Sequence, residues 1–239
     1  MVTLATSDGE VWTEIAEDPS HGFVIEAGPL HADARSLRVE LGPGLVVRLD
    51  EPRRWTRMFG PLGPAQMVPF LGQYWAPHLL GARVTGSFGG RTLDGARAYA
   101  EKNWGAAFAE HWWWGQAEFA AFAGGRVHGA APTAVAVWTP DEIVTLAPPF
   151  ARTVTRAGGG AWHVRASSWR WRIELEGEAT STPLRLPVPL PDERRLEVRS
   201  RHHLLGRIAV TVHRGRGLWF RGESALAALE DGAMPPRGS

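Results

Sequence analysis

The sequence contains no cysteine, a single lysine and a single asparagine. Without thiols, a disulfide framework, a thiolate metal site and a cysteine nucleophile are all excluded. No uninterrupted apolar run approaches the ~20 residues that cross a bilayer. The opening residues, Met1 to Glu10, lack the charged and apolar regions of a secretory signal. The expectation is a cytoplasmic protein with no transmembrane segment and at most a transient membrane contact. Charge of one sign is also missing: 26 basic against 25 acidic side chains give +1, so there is no basic footprint for a nucleic acid. Nothing in the composition sets an oligomeric state.

What is present is 12 Trp, 28 Gly and 18 Pro in 239 residues, a composition of many turns and heavy aromatic packing. The apolar period is two along most of the chain. Strands are predicted at Val11 to Ala16, His21 to Ala27, Ser36 to Leu41, Leu45 to Asp50, Leu79 to Phe88 and, as one long strand, His111 to Phe122. Others follow at Thr133 to Trp138, Glu142 to Ala147, Ala151 to Arg156, Ala161 to Ala166, Ser168 to Glu178, Leu184 to Val188, Arg195 to Arg201, Arg207 to Arg214 and Gly217 to Ala225. In the Ser168 strand, Trp169, Trp171, Ile173 and Leu175 share a buried face. The expected fold is all-β, an antiparallel barrel or sandwich.

Residues 1–98 are expected to form a short N-terminal β module and 99–232 a C-terminal barrel, with 233–239 a disordered tail. Within the first, residues 51–77 carry five prolines and read as an irregular segment, a cover over a cavity mouth or plain packing.

The lone lysine and lone asparagine are adjacent, in Tyr99-Ala-Glu-Lys-Asn-Trp-Gly. Taken as a strand, this puts Tyr99, Glu101 and Asn103 on one face and Lys102 with Trp104 on the other. A carboxyl in an apolar, Trp-lined space holds its proton and serves as an acid. Glu101 paired with Lys102 would instead be an ion pair closing a barrel end, and the residues alone leave both readings open. Downstream, Trp112, Trp114 and Gln116 share a face. Their indoles would line a ligand space or pack a core, and an indole face stabilises a carbocation. Arg185 is suited to an anionic or phenolic oxygen. His spacing gives no metal site, and no Gly-rich loop cradles a nucleotide.

The stretch Glu101-Lys-Asn-Trp-Gly, with Phe108, Trp112, Trp114 and Gln116, resembles the tocopherol cyclase family. Arg53 to Gly63, Trp75 to Gly86, Thr182-Pro-Leu-Arg-Leu-Pro and Ser224 to Glu230 resemble other family segments, so the likeness runs over roughly 37–231. The first module is shorter than in the plant enzymes and lacks their Phe-Glu-Gly-Trp-Tyr entry motif, and Ala109 stands where the family has Pro. The resemblance implies lipocalin-like β-barrels, loosely related to carotenoid hydratase-like and Diels-Alderase-like proteins. It also implies ring closure without a cofactor, by protonation of a prenyl alkene. Carried over, the site candidates are Glu101, Lys102, Asn103, Trp104, Trp112, Trp114, Gln116 and Arg185. Glu101, Asn103 and Lys102 are expected to be catalytic, and Tyr99, Trp104, Trp112, Trp114, Gln116, Trp171 and Arg185 to bind the substrate. The expected partner is an apolar small molecule. The alternatives are a lipocalin-type carrier without chemistry and a nonenzymatic interaction domain.

Overall fold

The computed structural model describes residues 2–14, 24–33, 35–50, 73–105, 109–127, 129–190 and 195–234, with residues 102–105 as backbone. All regular structure among them is β, in antiparallel pairs, and no helix is long and apolar enough to cross a membrane. The chain divides into two compact units, Met1–Arg53 with Gly81–Ala98, and Arg54–Leu80 with Tyr99–Ser239. Of the described residues, 73–80 thus group with the second unit and not with the N-terminal module expected from sequence.

The first unit is built on a meander. Strands β1 (Val2–Ala5) and β2 (Val11–Glu14) form a separate hairpin. Strands β3 (Ile25–Ala27), β4 (Leu30–Ala32), β5 (Ser36–Val39), β6 (Leu45–Asp50), β7 (Gln73–Phe88) and β8 (Arg91–Thr92) follow in order as a half-barrel. Val2, Ala27 and Val39 are buried at its centre, with Leu30, Leu37, Leu41 and Leu45 against them. Gly89 and Gly90 have φ of 53° and 77°. Both values lie in the left-handed region that a two-residue hairpin needs and that glycine adopts without strain.

The long strand β7 and strand β9 (Arg97–Gly105), which pairs with it, carry the chain into the second unit. Strand here begins at Gln73, so the end of the segment expected to be irregular is regular ladder. The remainder, 51–72, lies outside the described residues.

The second unit is a nearly closed barrel. Its path is β13 (Ile143–Leu146), β12 (Thr133–Trp138), β11 (Ala120–Arg126), β10 (His111–Gln116), β19 (Gly217–Ala233), β18 (Arg195–Arg214), β16 (Trp171–Ala179), β15 (Ala161–Ser167) and β14 (Arg152–Gly158). Strand β17 (Leu184–Leu190) pairs with the first part of β18. The gap between β12 and β14 is bridged by Thr133, whose hydroxyl is 2.7 Å from that of Thr155 and accepts from Trp113 Nε1 at 2.9 Å. The expectation of an all-β, antiparallel barrel holds.

The inside of this barrel is filled. Trp113, Phe122, Val135, Val137, Trp162, Ile173, Leu175, Ile208, Val210, Val212 and Leu229 interlock with almost no exposure, as close-packed cores do.

Several sequence expectations are corrected. His111 to Phe122 is two strands joined by a tight turn, with the Ala117 N–H donating to the Ala120 carbonyl. The turn resets the alternation, so Ala120 faces the core and not the side of Trp112 and Trp114. Arg195 to Arg201 and Arg207 to Arg214 are one strand, bent by bulges near Gly206. Strand β19 runs to Ala233 and Met234 packs near Trp112, so the last strand reaches into the expected tail. Trp169 is not on the buried face with Trp171. It sits in the turn before β16 and is 93% exposed.

Candidate active site

Strand alternation sorts the side chains of β10 onto two faces. Trp113 points into the packed barrel, so Trp112 and Trp114 point to the opposite face. On that face β11 and β12 present Ala121, Ala123, Ala134 and Ala136, which together with Ala147 form a shallow apolar floor. Side chains this small leave room for large ones above them, and Trp75 of β7, Tyr99 of β9 and Trp138 pack there.

Glu101 is the centre of this layer. Its Oε2 accepts hydrogen bonds from Trp75 Nε1 at 2.6 Å, Tyr99 Oη at 2.5 Å and Trp114 Nε1 at 2.5 Å. The Tyr99 and Trp114 rings lie 5.8 Å apart at a tilt of 59°. Burial, then the neighbouring Glu101 charge and their shared hydrogen bond, push the Tyr99 phenol well above its usual value. It therefore remains a donor. Three uncharged donors from three strands hold one carboxyl oxygen in place.

A second acidic group lies beside the first. Glu230 of β19 is opposite Trp114 in the ladder. Its Oε1 accepts from Trp112 Nε1 at 2.7 Å and from Ser200 Oγ at 2.8 Å, and its Oε2 is 3.3 Å from His202 Nδ1. Burial raises the Glu230 carboxyl, but His202, Trp112 and Ser200 outweigh it and hold the group below the ordinary glutamate value. The His202 ring is 5.4 Å from that of Trp114. Trp114 thus stands between the two carboxylates, its indole N–H on Glu101 and its ring against the partner of Glu230. The close passage of Trp112 over β19 requires Gly232, where a Cβ would overlap the indole.

The structure brings Tyr99, Glu101 and Trp114 together, with Trp112 one step away and Gln116 on the same face of β10. Lys102, Asn103 and Trp104 belong to β9, but their side chains lie outside the described residues. Two candidates are elsewhere. Arg185 pairs with Arg201 and Arg201 with Asp231, so it is on the opposite face from His202 and Glu230. There it lines an open pocket of about 280 Å³ with His111, Arg199 and Asp231. Trp171 packs on Trp219 with ring centroids 5.7 Å apart, at the rim of the barrel core.

Sequence reasoning missed Trp75, which fell in the segment read as irregular, and the Ser200, His202 and Glu230 group. His202 and His203, adjacent on β18, point to opposite faces. His203 turns inward and its Nδ1 is 2.7 Å from the Ser181 carbonyl oxygen. The alternation that separates them was legible, but no local pattern pairs residue 202 with residue 230.

None of the proteins of curated function matches the sequence. Among solved structures, kievitone hydratase from Nectria haematococca is similar at 15% identity and a TM-score of 0.47, over 87% of this chain and 70% of that one. The family model described as tocopherol cyclase-like matches residues 88–233, a range holding β9 to β19 with Glu101 and Glu230, and not Trp75. The chain belongs to the tocopherol cyclase-like family.

Proposed function

We propose that this protein is a cofactor-independent cyclase or isomerase of an apolar, alkene-bearing small molecule, prenylated or polyene, with Glu101 as the proton donor. The observation that carries the reading is the convergence of Trp75, Tyr99 and Trp114 on one oxygen of Glu101. Membership of the family supports the reaction class.

An oxygen already accepting three hydrogen bonds has no lone pair left for a proton, so a proton carried by this carboxyl sits on Oε1. Delivered to an alkene, it forms a C–H bond and leaves a carbocation beside the indoles of Trp75 and Trp114. Their faces stabilise the cation, and the Glu101 carboxylate formed in the step adds electrostatic stabilisation. A substrate oxygen then adds to the cation, forming the C–O bond. Its O–H proton passes to His202, whose imidazole is held through Nδ1 by Glu230, in the manner of a base oriented by a carboxylate. One proton enters from Glu101 and one leaves to His202, so the substrate is isomerised, and exchange through solvent returns the proton from His202 to Glu101 before the next turnover. Asn103 and Gln116 orient the reacting oxygen, and Lys102 holds the motif strand.

The test is Glu101→Gln with prenylated phenols and polyenes as substrates. The variant retains a carbonyl oxygen for the three donors but has no proton to give. Turnover is expected to fall by about 100-fold or more, with ligand affinity within a few fold of the parent. Undiminished turnover overturns the acid assignment. A bound apolar molecule that co-purifies and is never converted makes the protein a carrier.

A further inference from the structure

The tips of the second unit present large apolar side chains to water. Phe150 is 68% exposed, Trp169 93% and Leu218 57%. Single exposed hydrophobics are ordinary, but these belong to neighbouring turns. In the β14–β15 ladder Arg152 pairs with Ser167. Phe150 comes two residues before the one and Trp169 two after the other, at the same end of that ladder. The β18–β19 turn, which leads into Leu218, is tied to the Trp169 turn by the Gly215 N–H donating to the Arg170 carbonyl at 3.0 Å.

These tips are also held firmly. The Ala151 N–H donates to the Ala147 carbonyl at 3.0 Å, closing the loop below Phe150. The Ser168 N–H donates to the Trp171 carbonyl at 2.8 Å, and the Ser168 hydroxyl accepts from the Trp171 N–H at 3.1 Å. Trp169 is therefore held out on a short, braced turn.

The charge around them has one dominant sign. Arg152, Arg170, Arg214 and Arg216 occupy these turns and strand ends, against Asp141 and Glu142 in the facing turn and Glu118 in the adjoining β10–β11 turn, with Glu142 4.0 Å from Arg170. The Arg170 and Arg214 guanidinium carbons lie 5.2 and 5.5 Å from the Trp171 ring centroid, which fixes their charge at the rim. An indole and a phenyl at the apex, with arginines behind, match the layers of a membrane surface. Aromatic rings settle at the headgroup boundary, and guanidinium groups bind lipid phosphates.

We propose that this end of the second unit docks on an anionic membrane surface, with Trp169 and Phe150 entering the interface, Leu218 beside them, and the arginines bound to phospholipid headgroups. The charge complementarity singles out that occupant over a second copy of the chain, whose matching face would be equally basic.

The test is co-sedimentation of the full chain with vesicles of phosphatidylcholine alone and of equimolar phosphatidylcholine and phosphatidylglycerol, at low and high salt. Binding is expected only to the anionic vesicles and is expected to weaken with salt. The double variant Trp169→Ser, Phe150→Ser should lose at least about tenfold in partitioning. Arg216→Glu, on an exposed turn, should lose about fivefold or more. Circular dichroism and thermal unfolding check that each variant is folded. Absence of binding by the parent, equal binding to both vesicle types, or unchanged binding by folded variants overturns the proposal. So does a dimer in solution that Trp169→Ser converts to monomer, because the tips are then a protein interface.

Discussion

At the scale of single residues, the cluster depends on Tyr99 remaining a phenol. The chain has two tyrosines, so a Tyr74→Phe variant leaves Tyr99 as the sole chromophore of its kind. Spectrophotometric titration of that variant should show its ionisation well above the ordinary tyrosine range, because burial and the Glu101 charge both oppose a phenolate. Glu101→Gln removes the charge and should bring the titration part of the way down. A normal titration in the folded Tyr74→Phe protein would mean that Tyr99 is neither buried nor beside a charged Glu101. The sign for stability follows from linkage. A group whose folded value is raised contributes fully below its unfolded value and loses that contribution as pH rises through the folded one.

At the scale of elements, β11 and β12 serve two compartments with alternating residues. In Thr-Ala-Val-Ala-Val-Trp of β12, Val135 and Val137 fill the barrel, while Ala134 and Ala136 make the floor under Trp75. Ala136→Leu should therefore cost about 1–3 kcal/mol by overpacking, read by chemical denaturation. It should also displace Trp75 from Glu101, visible as a shifted indole N–H resonance. A neutral effect would mean that the floor has free space. The alternation of β12 and its boundaries were legible in the sequence, because a period of two is a local property. The split of β10 from β11 was not, since the apolar pattern runs through the turn and only the tertiary placement of Ala120 in the core reveals it. Trp169 was misplaced for the same reason. The alternation of Trp171, Ile173 and Leu175 extrapolates to it, but the strand ends first, at the turn fixed by Ser168.

At the scale of the whole molecule, the buried Glu230 cluster links β10, β18 and β19, the strands that hold the barrel path together. A folded-state value held below the ordinary one contributes stability that is present above the unfolded value and lost as pH falls through the folded one. Acidification should lower the thermal midpoint of the parent more steeply than that of Glu230→Gln. Parallel pH profiles would show that the cluster does not couple to folding. The sequence by itself determined the all-β class, the two-sided strands and the family, because these are written in composition, period and local motif. Only the tertiary structure decided that the barrel interior is solid and that the Glu101 layer lies on its outer face. It also decided that Trp75 and Trp114 share an oxygen of Glu101, and that His202 meets Glu230. Those contacts join residues 13, 26 and 28 positions apart, and such pairings are set by strand register and sheet closure, which no local pattern records.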